Sequence, residues 1–428
     1  MFFTRLILIE ERMSIMKNIT LIKQHKFKNT IVSMRFLMPL EAKKILPRMV
    51  LANLLNDVCE RYDTKQKVSM RLDEMYGSTL QISSSVVGNA QVISASIKSI
   101  HSSFLEKEEN MLEQQFALLY EFLLRPLRKE GHFLLERLEE AKRIQRDYMQ
   151  RIDDDPNSFC MNEAFKIAGR GQPLGIGVDL TYEELNDISL SMVEAEYESL
   201  ITKAKVDLLV FGNVEENEVN QLCEKYFSLL LQHENKITVD YCLKKDDMKP
   251  RFYGYKDISQ SYITSIYATN LSNRDSDFKA LRVANAIFGQ LPSSLLFKNV
   301  REKNSLCYSI YSGINPYDGI IGVSTGVDKK NIDKTLSLIE EQYKKMIRSD
   351  YDDELLETSK KMIIDSLRSS NDNMNSIMAL AYRNVILHQQ ETLEDIIEGI
   401  RTVSREDVDR VMQKVQYVTS YILTQKEG

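Results

Sequence analysis

The sequence predicts an α+β protein made of two homologous α/β halves, joined by a polar linker in a clamshell. Each half is predicted to hold a mostly antiparallel sheet covered by helices. Alternating strand patterns and longer amphipathic helical patterns follow one another in the same order in both halves of the 428 residues. Ala52-Asn53 and Ala284-Asn285 occupy matching places in that order. A polar, punctuated stretch at 232–250 separates the halves and is predicted to be the linker.

The first half opens on strands and closes on a strand. Period-two alternation predicts strands at 19–24, 30–37, 80–86, 91–97 and 206–212. Period-3.6 stripes predict helices at 43–62, 65–75, 107–124 and 131–151. Asp153-Asp154-Asp155-Pro156 should end one helix or begin the next, because the residue before proline disfavours the α region. Gly169–Gly175 is predicted to be a surface loop, and Ser191-x-x-Glu194 to open a helix as a capping box.

The second half repeats this order. Strands are predicted at 251–257, 261–269, 308–314, 320–327 and 418–424. Helices are predicted at 277–289, 293–303, 331–347 and 353–370. Ser404-x-x-Asp407 should open the last helix, as Ser191-x-x-Glu194 does in the first half.

Four segments follow from these patterns. Residues 1–18 are predicted to be a disordered extension, since Leu6–Ile9 is too short an apolar run for a signal peptide. Residues 19–231 form the first half, 232–250 the linker and 251–428 the second half. A polar linker between two such halves suggests a hinge motion.

Composition narrows the possible partners and the compartment. The formal net charge of −6 argues against nucleic acid as a partner, because phosphate binding needs a basic face. The five cysteines contain no C-x-x-C pair, so neither a disulfide framework nor a thiolate zinc site is indicated. No stretch is apolar and long enough for a membrane span, so a membrane partner is not expected. We expect a cytoplasmic protein.

The helix predicted at 43–62 carries unusual polar residues. Its apolar positions form one stripe, and Asn53, Asn56 and Asp57 lie beside that stripe on two successive turns. This spacing is the one at which zinc peptidases of the inverted type place His, Glu and His. Two amides and one carboxylate stand there instead.

Several motifs together resemble those of a known family. The run Arg301-Glu302-Lys303-Asn304-Ser305-Leu306-Cys307-Tyr308-Ser309 is similar to an Arg-Glu-Lys-x-x-Leu-x-Tyr-Ser stretch in the insulinase/pitrilysin zinc peptidases. Gly171–Gly175 and the Asp-Asp-Asp-Pro turn also resemble family motifs, and the similarity extends over nearly the whole chain after residue 18. The chain is therefore identified as resembling the mitochondrial-processing-peptidase-like branch of this family.

The resemblance implies a vacated zinc site. The family's two histidine ligands fall on Asn53 and Asp57, its catalytic glutamate on Asn56, and its distal glutamate ligand near Tyr148. An amide is a poor zinc ligand and cannot accept a proton, so it cannot activate water. The five histidines have no partners at helical spacing with which to rebuild a site. No cofactor is expected in this chain.

The resemblance also implies a role for the second half. In the family, a tyrosine and an arginine at the positions of Tyr308 and Arg301 reach towards the zinc of a first half and hold substrate. We therefore expect a non-catalytic subunit that lines the peptide chamber of a zinc-bearing paralogous partner, acting on peptides or unfolded segments. Relatives of this type are associated with 5-aminopentanol modification of elongation factor P.

Three alternatives stay open. The chain could be a peptide-binding scaffold without proteolysis. It could be a metallopeptidase with an unusual site built on Asp57. Finally, Arg301 and Tyr308 could be structural, with Arg301 paired to a carboxylate and Tyr308 simply beginning a strand.

Overall fold

Two β-sheets, one in each half of the chain, form the framework of the protein. The computed structural model describes residues 13–16, 18–107, 109–232, 236–246 and 248–426. The strands of the first half are β1 (Met13–Met16), β2 (Ile19–Lys23), β3 (Asn29–Pro39), β4 (Thr79–Val87), β5 (Ala90–Ile100), β6 (Arg128–Lys129), β7 (His132–Phe133) and β8 (Lys205–Gly212). Those of the second half are β9 (Arg251–Tyr255), β10 (Ser261–Ala268), β11 (Cys307–Asn315), β12 (Ile320–Val327) and β13 (Gln416–Thr424).

Helices fill the connections between these strands. In the first half they are α1 (Ala42–Leu55), α2 (Lys65–Glu74), α3 (Met111–Leu124), α4 (Leu135–Asp154), α5 (Pro156–Ala168), α6 (Pro173–Ile176), α7 (Tyr182–Asn186), α8 (Leu190–Lys203) and α9 (Glu216–Phe227). In the second half they are α10 (Phe278–Asn285), α11 (Ile332–Ile347), α12 (Asp353–Ser370), α13 (Met374–Leu387), α14 (Leu393–Arg401) and α15 (Arg405–Met412). Two π-helical turns, Ala286–Gln290 and Phe297–Glu302, lie between α10 and β11.

The strand order confirms the predicted duplication. The first sheet has the order β1-β2-β8-β3-β5-β4, and the second has the order β9-β13-β10-β12-β11 when read from the corresponding edge. In both sheets the pair that joins the first strand of the half to its last strand is parallel, β2 with β8 and β9 with β13. All other neighbouring strands are antiparallel. Apart from β1, the two sheets therefore have the same topology.

The central strands of each sheet are buried on both faces, and one of the covering helices comes from the other half. Along β8, Leu208 and Val210 point into the core of the first half, whereas Leu209 and Phe211 pack with α13. In the same way α5, from the first half, packs on β10 and β13 of the second sheet. Because α5 follows α4 as α13 follows α12, the exchange is reciprocal.

The segment predicted to be a hinge is fixed to both halves. The side chains of Val239 and Leu243 are fully buried. Val239 O accepts a hydrogen bond from Asn89 N at 2.6 Å, in the β4–β5 turn, and Leu243 N donates to Asp318 O at 2.9 Å, in the β11–β12 turn. Residues 236–246 thus connect the two turns, and the described part of the linker is not a free hinge.

The Gly169–Gly175 loop also holds this segment, instead of lying free on the surface as predicted. Gln172 exchanges two hydrogen bonds of 2.9 Å with the backbone of Lys244. Leu174 N donates to Tyr241 Oη at 2.7 Å. A Cβ atom on Gly175 would lie 2.2 Å from Gly169 O, so this close backbone approach requires glycine.

Several predicted boundaries are wrong. Within the predicted disordered extension, Met13–Met16 pairs with β2 as a strand, whereas residues 1–12 and 17 lie outside the described residues. Ser189, not Ser191, caps α8. The predicted helix at 43–62 ends at Leu55. In contrast, the capping box at Ser404 and Asp407 is confirmed.

Asp318 gives the contact between linker and turn a predictable pH dependence. Burial raises the pKa of this carboxyl group to about 6, although hydrogen bonds from Tyr241 and Asn315 act to lower it. The folded state therefore holds the proton more tightly than the unfolded state, in which the pKa is about 3.9. This difference destabilises the fold progressively as the pH rises from about 4 to about 6.

We expect the unfolding free energy of Asp318→Asn, relative to that of the natural protein at the same pH, to increase by roughly 2–3 kcal/mol between pH 4 and pH 7. Urea unfolding at the two pH values measures this change. Asp372→Asn, at a side chain that is 85% exposed, is the matched control. The same difference in unfolding free energy at both pH values would contradict the prediction.

Candidate functional site

The first candidate site is the C-terminal end of α1. The helix is anchored by Arg48, whose buried guanidinium donates to Glu196 on α8 at 2.7 Å and to Pro39 O at 2.7 Å. Its apolar stripe packs in the core of the first half. This anchoring fixes where the next turn of α1 places its polar side chains.

Asn53 faces α4. Its Nδ2 donates to Ala141 O at 3.4 Å and to Gln145 Oε1 at 3.5 Å. Gln145 is itself buried. The first of the two histidine positions therefore holds an amide that already has partners within the protein.

Asn56 lies just beyond the last residue of α1, as its C-cap. Its Oδ1 accepts a hydrogen bond of 2.6 Å from Ile82 N on β4. Because β4 is the outer strand of the first sheet, Asn56 satisfies a backbone donor at the sheet edge. Asn56, the predicted position of the catalytic glutamate, therefore has a structural role here, and its amide cannot accept a proton from a water molecule.

Asp57 is neutralised by two cations. Its carboxylate lies 3.1 Å from Arg137 and 3.3 Å from Lys65, and only 8% of the side chain is exposed. The two cations stand beside the oxygens that a metal would use. Across the described residues there is no cluster of three or more His, Cys, Asp or Glu side chains that could hold a metal ion.

Tyr148, the predicted distal position, lies on α4 three residues beyond Gln145. Ala141, Gln145 and Tyr148 share one stripe of that helix by their spacing. The Tyr148 side chain is 46% exposed. Its assignment as the distal ligand position stays a prediction.

The second candidate site is the start of β11, where Tyr308 is 86% exposed. Pairing of β11 with β12 shifts register between Cys307 and Ile310, so Tyr308 lies in a bulge. Bulges re-aim side chains, often at functional sites. The preceding Ser305 has a φ of +50°, a further departure from regular backbone.

Arg301 lies beside this bulge. Its guanidinium stacks over Phe297, 4.3 Å from the ring centroid, and lies 5.9 Å from the centroid of Tyr308. No carboxylate in the described ranges lies within ion-pair distance of it, so the structural alternative of a paired carboxylate finds no support. No hydrogen bond or ion pair in the same ranges joins Arg301 or Tyr308 to Asn53, Asn56 or Asp57.

A third feature, which the sequence did not predict, is a cavity of about 750 Å³ in the second half. Arg282 and Arg383 contribute to its lining. One signal could have indicated it, namely an arginine at position 282 within the otherwise apolar run Ala280–Ala284. A charge at that place needs either a partner or a ligand.

Comparisons with known proteins agree with the family suggested by the motifs. Residues 187–363 match the family model described as the peptidase M16 inactive domain. The probable inactive metalloprotease YmfF of Bacillus subtilis is 26% identical over 408 residues, covering 95% of this chain and 96% of that protein. None of the described helices is long and apolar enough to cross a membrane.

Solved structures show the same fold. A conserved protein from Enterococcus faecalis V583 has a TM-score of 0.88 and 25% identity, covering 96% of this chain and 98% of that one. A peptidase M16 inactive domain from Pseudomonas fluorescens has a TM-score of 0.77 and 15% identity, covering 96% of each chain. The predicted fold class and duplication are thereby confirmed.

The geometry around Asp57 predicts a structural role for its carboxylate. We expect Asp57→Asn to lower the free energy of unfolding by about 1–3 kcal/mol, because Arg137 loses a charged partner at a mostly buried position. Zinc ions should leave the melting temperature of both proteins unchanged. Thermal unfolding with and without zinc measures both effects.

Asp63→Asn provides the control, since Asp63 pairs with Lys67 on the exposed surface. Exposed pairs contribute little, so we expect a change below about 0.5 kcal/mol. Zinc that stabilises the natural protein but not Asp57→Asn would instead support a metal site on Asp57.

Proposed function

Because the chain belongs to the insulinase/pitrilysin (M16) peptidase family, as an inactive-type member, we propose that it is the non-catalytic subunit of a heterodimeric processing-type zinc peptidase. The observation that carries the proposal is the contrast between its two candidate sites. Asn53, Asn56 and Asp57 all have partners within the protein, whereas the half-buried Arg301 and the exposed Tyr308 have no polar side-chain partners among the described residues.

This pair supplies chemistry that a zinc subunit can use. A phenol donates a hydrogen bond to the oxyanion that develops when a peptide carbonyl is attacked. A guanidinium binds backbone carbonyls or a carboxylate through its planar fork. In the proposed complex Tyr308 and Arg301 provide these contacts, and the partner provides the zinc and the general base.

The position of the pair favours action on a second chain. The bulge at the start of β11 turns Tyr308 away from its own sheet, and the vacated end of α1 offers no metal for it to assist. The proposed substrate is a peptide or an unfolded protein segment in the chamber between the subunits. The cytoplasm is the proposed compartment, with no nucleic acid or membrane partner, in line with five free cysteines and a net charge of −6.

A second candidate function is a peptide-binding scaffold without proteolysis. It is favoured by β11, an outer strand of the second sheet that exposes both Tyr308 and Tyr311. An extended peptide can add to such an edge through backbone hydrogen bonds. A role in elongation factor P modification would fall under this function, and it rests on the family resemblance alone.

Reconstitution with a zinc-bearing paralogue tests the two functions. Peptidase activity of the mixture should exceed that of the paralogue alone. Tyr308→Phe should lower kcat/KM of the mixture by roughly a hundred- to a thousandfold, the range seen when one oxyanion donor is removed, and Arg301→Ala should lower it as well. Peptide hydrolysis by the mixture, at fixed concentration of the paralogue, is the measurement.

Tyr255→Phe is the matched control, because Tyr255 is also exposed to solvent but lies on β9, at the opposite edge of the second sheet. It should leave kcat/KM unchanged. Full activity of both test variants would overturn the proposed role of the pair. Peptide binding by the chain alone, with no activation of the paralogue, would favour the scaffold.

A further inference from the structure

The cavity in the second half has the size of a small-molecule site. Its volume is about 750 Å³, within the range of about 300–1,000 Å³ that is typical of ligand pockets. It lies among α10, α13, α14 and β11, and β2 of the first half contributes to one side. The reciprocal packing of the halves therefore helps to form it.

Most of the wall is apolar. The aliphatic and aromatic side chains that line it come from both halves and include Leu21, Ile22, Phe278, Ile314, Leu380 and Ile396. Such a surface favours the apolar body of a ligand over water. The charged groups of the wall include Arg282 and Arg383.

Arg282 is a cation with no ion-pair partner in contact among the described residues. Burial lowers the pKa of its guanidinium and the neighbouring Arg383 lowers it further, whereas the charge of Glu391 acts to raise it. No hydrogen bond or ion pair from the Arg282 side chain is formed with any residue that the structure describes. Holding a mostly buried charge in this way is unfavourable unless something else compensates it.

Among the described residues that line the cavity, Glu391 carries the only carboxylate, and this carboxylate already has cationic partners. Glu391 accepts from Arg383 at 2.8 Å and also pairs with Lys279. These two cations keep the pKa of Glu391 below its usual range, although its burial acts in the opposite direction. Arg383 is further held by Asn273, which accepts from its Nε at 3.3 Å. The local charge is therefore positive, and Arg282 accounts for the unpaired part.

A second polar group on the same wall lacks a partner. Asn384 is buried and donates through Nδ2 to Glu391 O at 2.8 Å. Its Oδ1 accepts no hydrogen bond from the described residues. This oxygen is buried, so it is not open to a ligand in the cavity.

We propose that this cavity binds a small organic anion, with its carboxylate or phosphate group on Arg282 and its apolar body along the aliphatic wall. The fork of Arg282 matches either acidic group. Arg383, fixed by Glu391 and Asn273, adds to the positive field without having to move. The proposal concerns the chain alone and does not depend on a zinc-bearing partner.

Titration calorimetry on the full chain tests the proposal with three probes of equal chain length, namely octanoate, octyl phosphate and octanol. Both anions should bind, and octanol at least tenfold more weakly. The anion that binds more tightly identifies the preferred acidic group. Arg282→Met should weaken binding of that anion by tenfold or more, the effect expected for a lost charged hydrogen bond, and Arg282→Lys by less.

Arg61→Met is the matched control, because Arg61 is exposed on the first half and does not line the cavity. It should bind the anions like the natural protein. Leu380→Trp, which narrows the cavity and leaves Arg282 in place, should weaken binding and serves if Arg282→Met does not fold. Absence of anion binding to the natural protein, equal binding of octanol, or unchanged binding by both Arg282→Met and Leu380→Trp would overturn the proposal.

Discussion

The reciprocal packing of α5 and α13 is the constraint on which the rest of the structure depends. A central strand such as β8 is apolar on both faces, since Leu208 and Val210 face one core and Leu209 and Phe211 face another. Neither half covers its second face with its own helices alone, so each depends on a helix from the other half. The apolar surface that α5 and α13 bury is stabilising only when both halves are assembled. The segment at 236–246 therefore connects parts that are already held together.

Packing within the first half decides what a polar residue near the end of α1 can do. A zinc site requires side chains that point at a common centre and have no better partner in the protein. In this chain Asn53 bonds to α4, Asn56 to the edge of the first sheet, and Asp57 to two cations. The helices and strands around these three positions are intact, and Asn53, Asn56 and Asp57 bind directly to neighbouring groups of the protein. The first half thus has the fold of the family, and these three side chains are part of its packing.

Local patterns predicted most elements, because strand alternation, helical stripes and capping residues act over a few neighbours. They could not predict that α1 ends at Leu55, since the next residue is held by a backbone group of β4, distant in sequence. They could not show that Val239 and Leu243 are buried within a polar segment, because the turns that bury them belong to different halves. The bulge at Tyr308 and the cavity around Arg282 likewise depend on register and on helices packed from far along the chain. The motif at 301–309 is recognisable from its residues, but only the fold shows that Tyr308 is exposed.

The two halves differ in which polar side chains they leave without a partner. Both proposed binding sites lie where such side chains are found. Asn53 and Asn285 lie at matching places in the duplication, and both amides are bonded within their own half, Asn285 to Ser312 and Gln290. One turn before Asn285, however, Arg282 is mostly buried and unpaired, and farther along the chain Arg301 and Tyr308 have no polar side-chain partners among the described residues. Unpaired polar groups raise the free energy of a fold, so they persist where a bound molecule can satisfy them. Both the proposed contact with a substrate and the proposed anion site therefore fall in the second half, on a scaffold that the first half stabilises through α5.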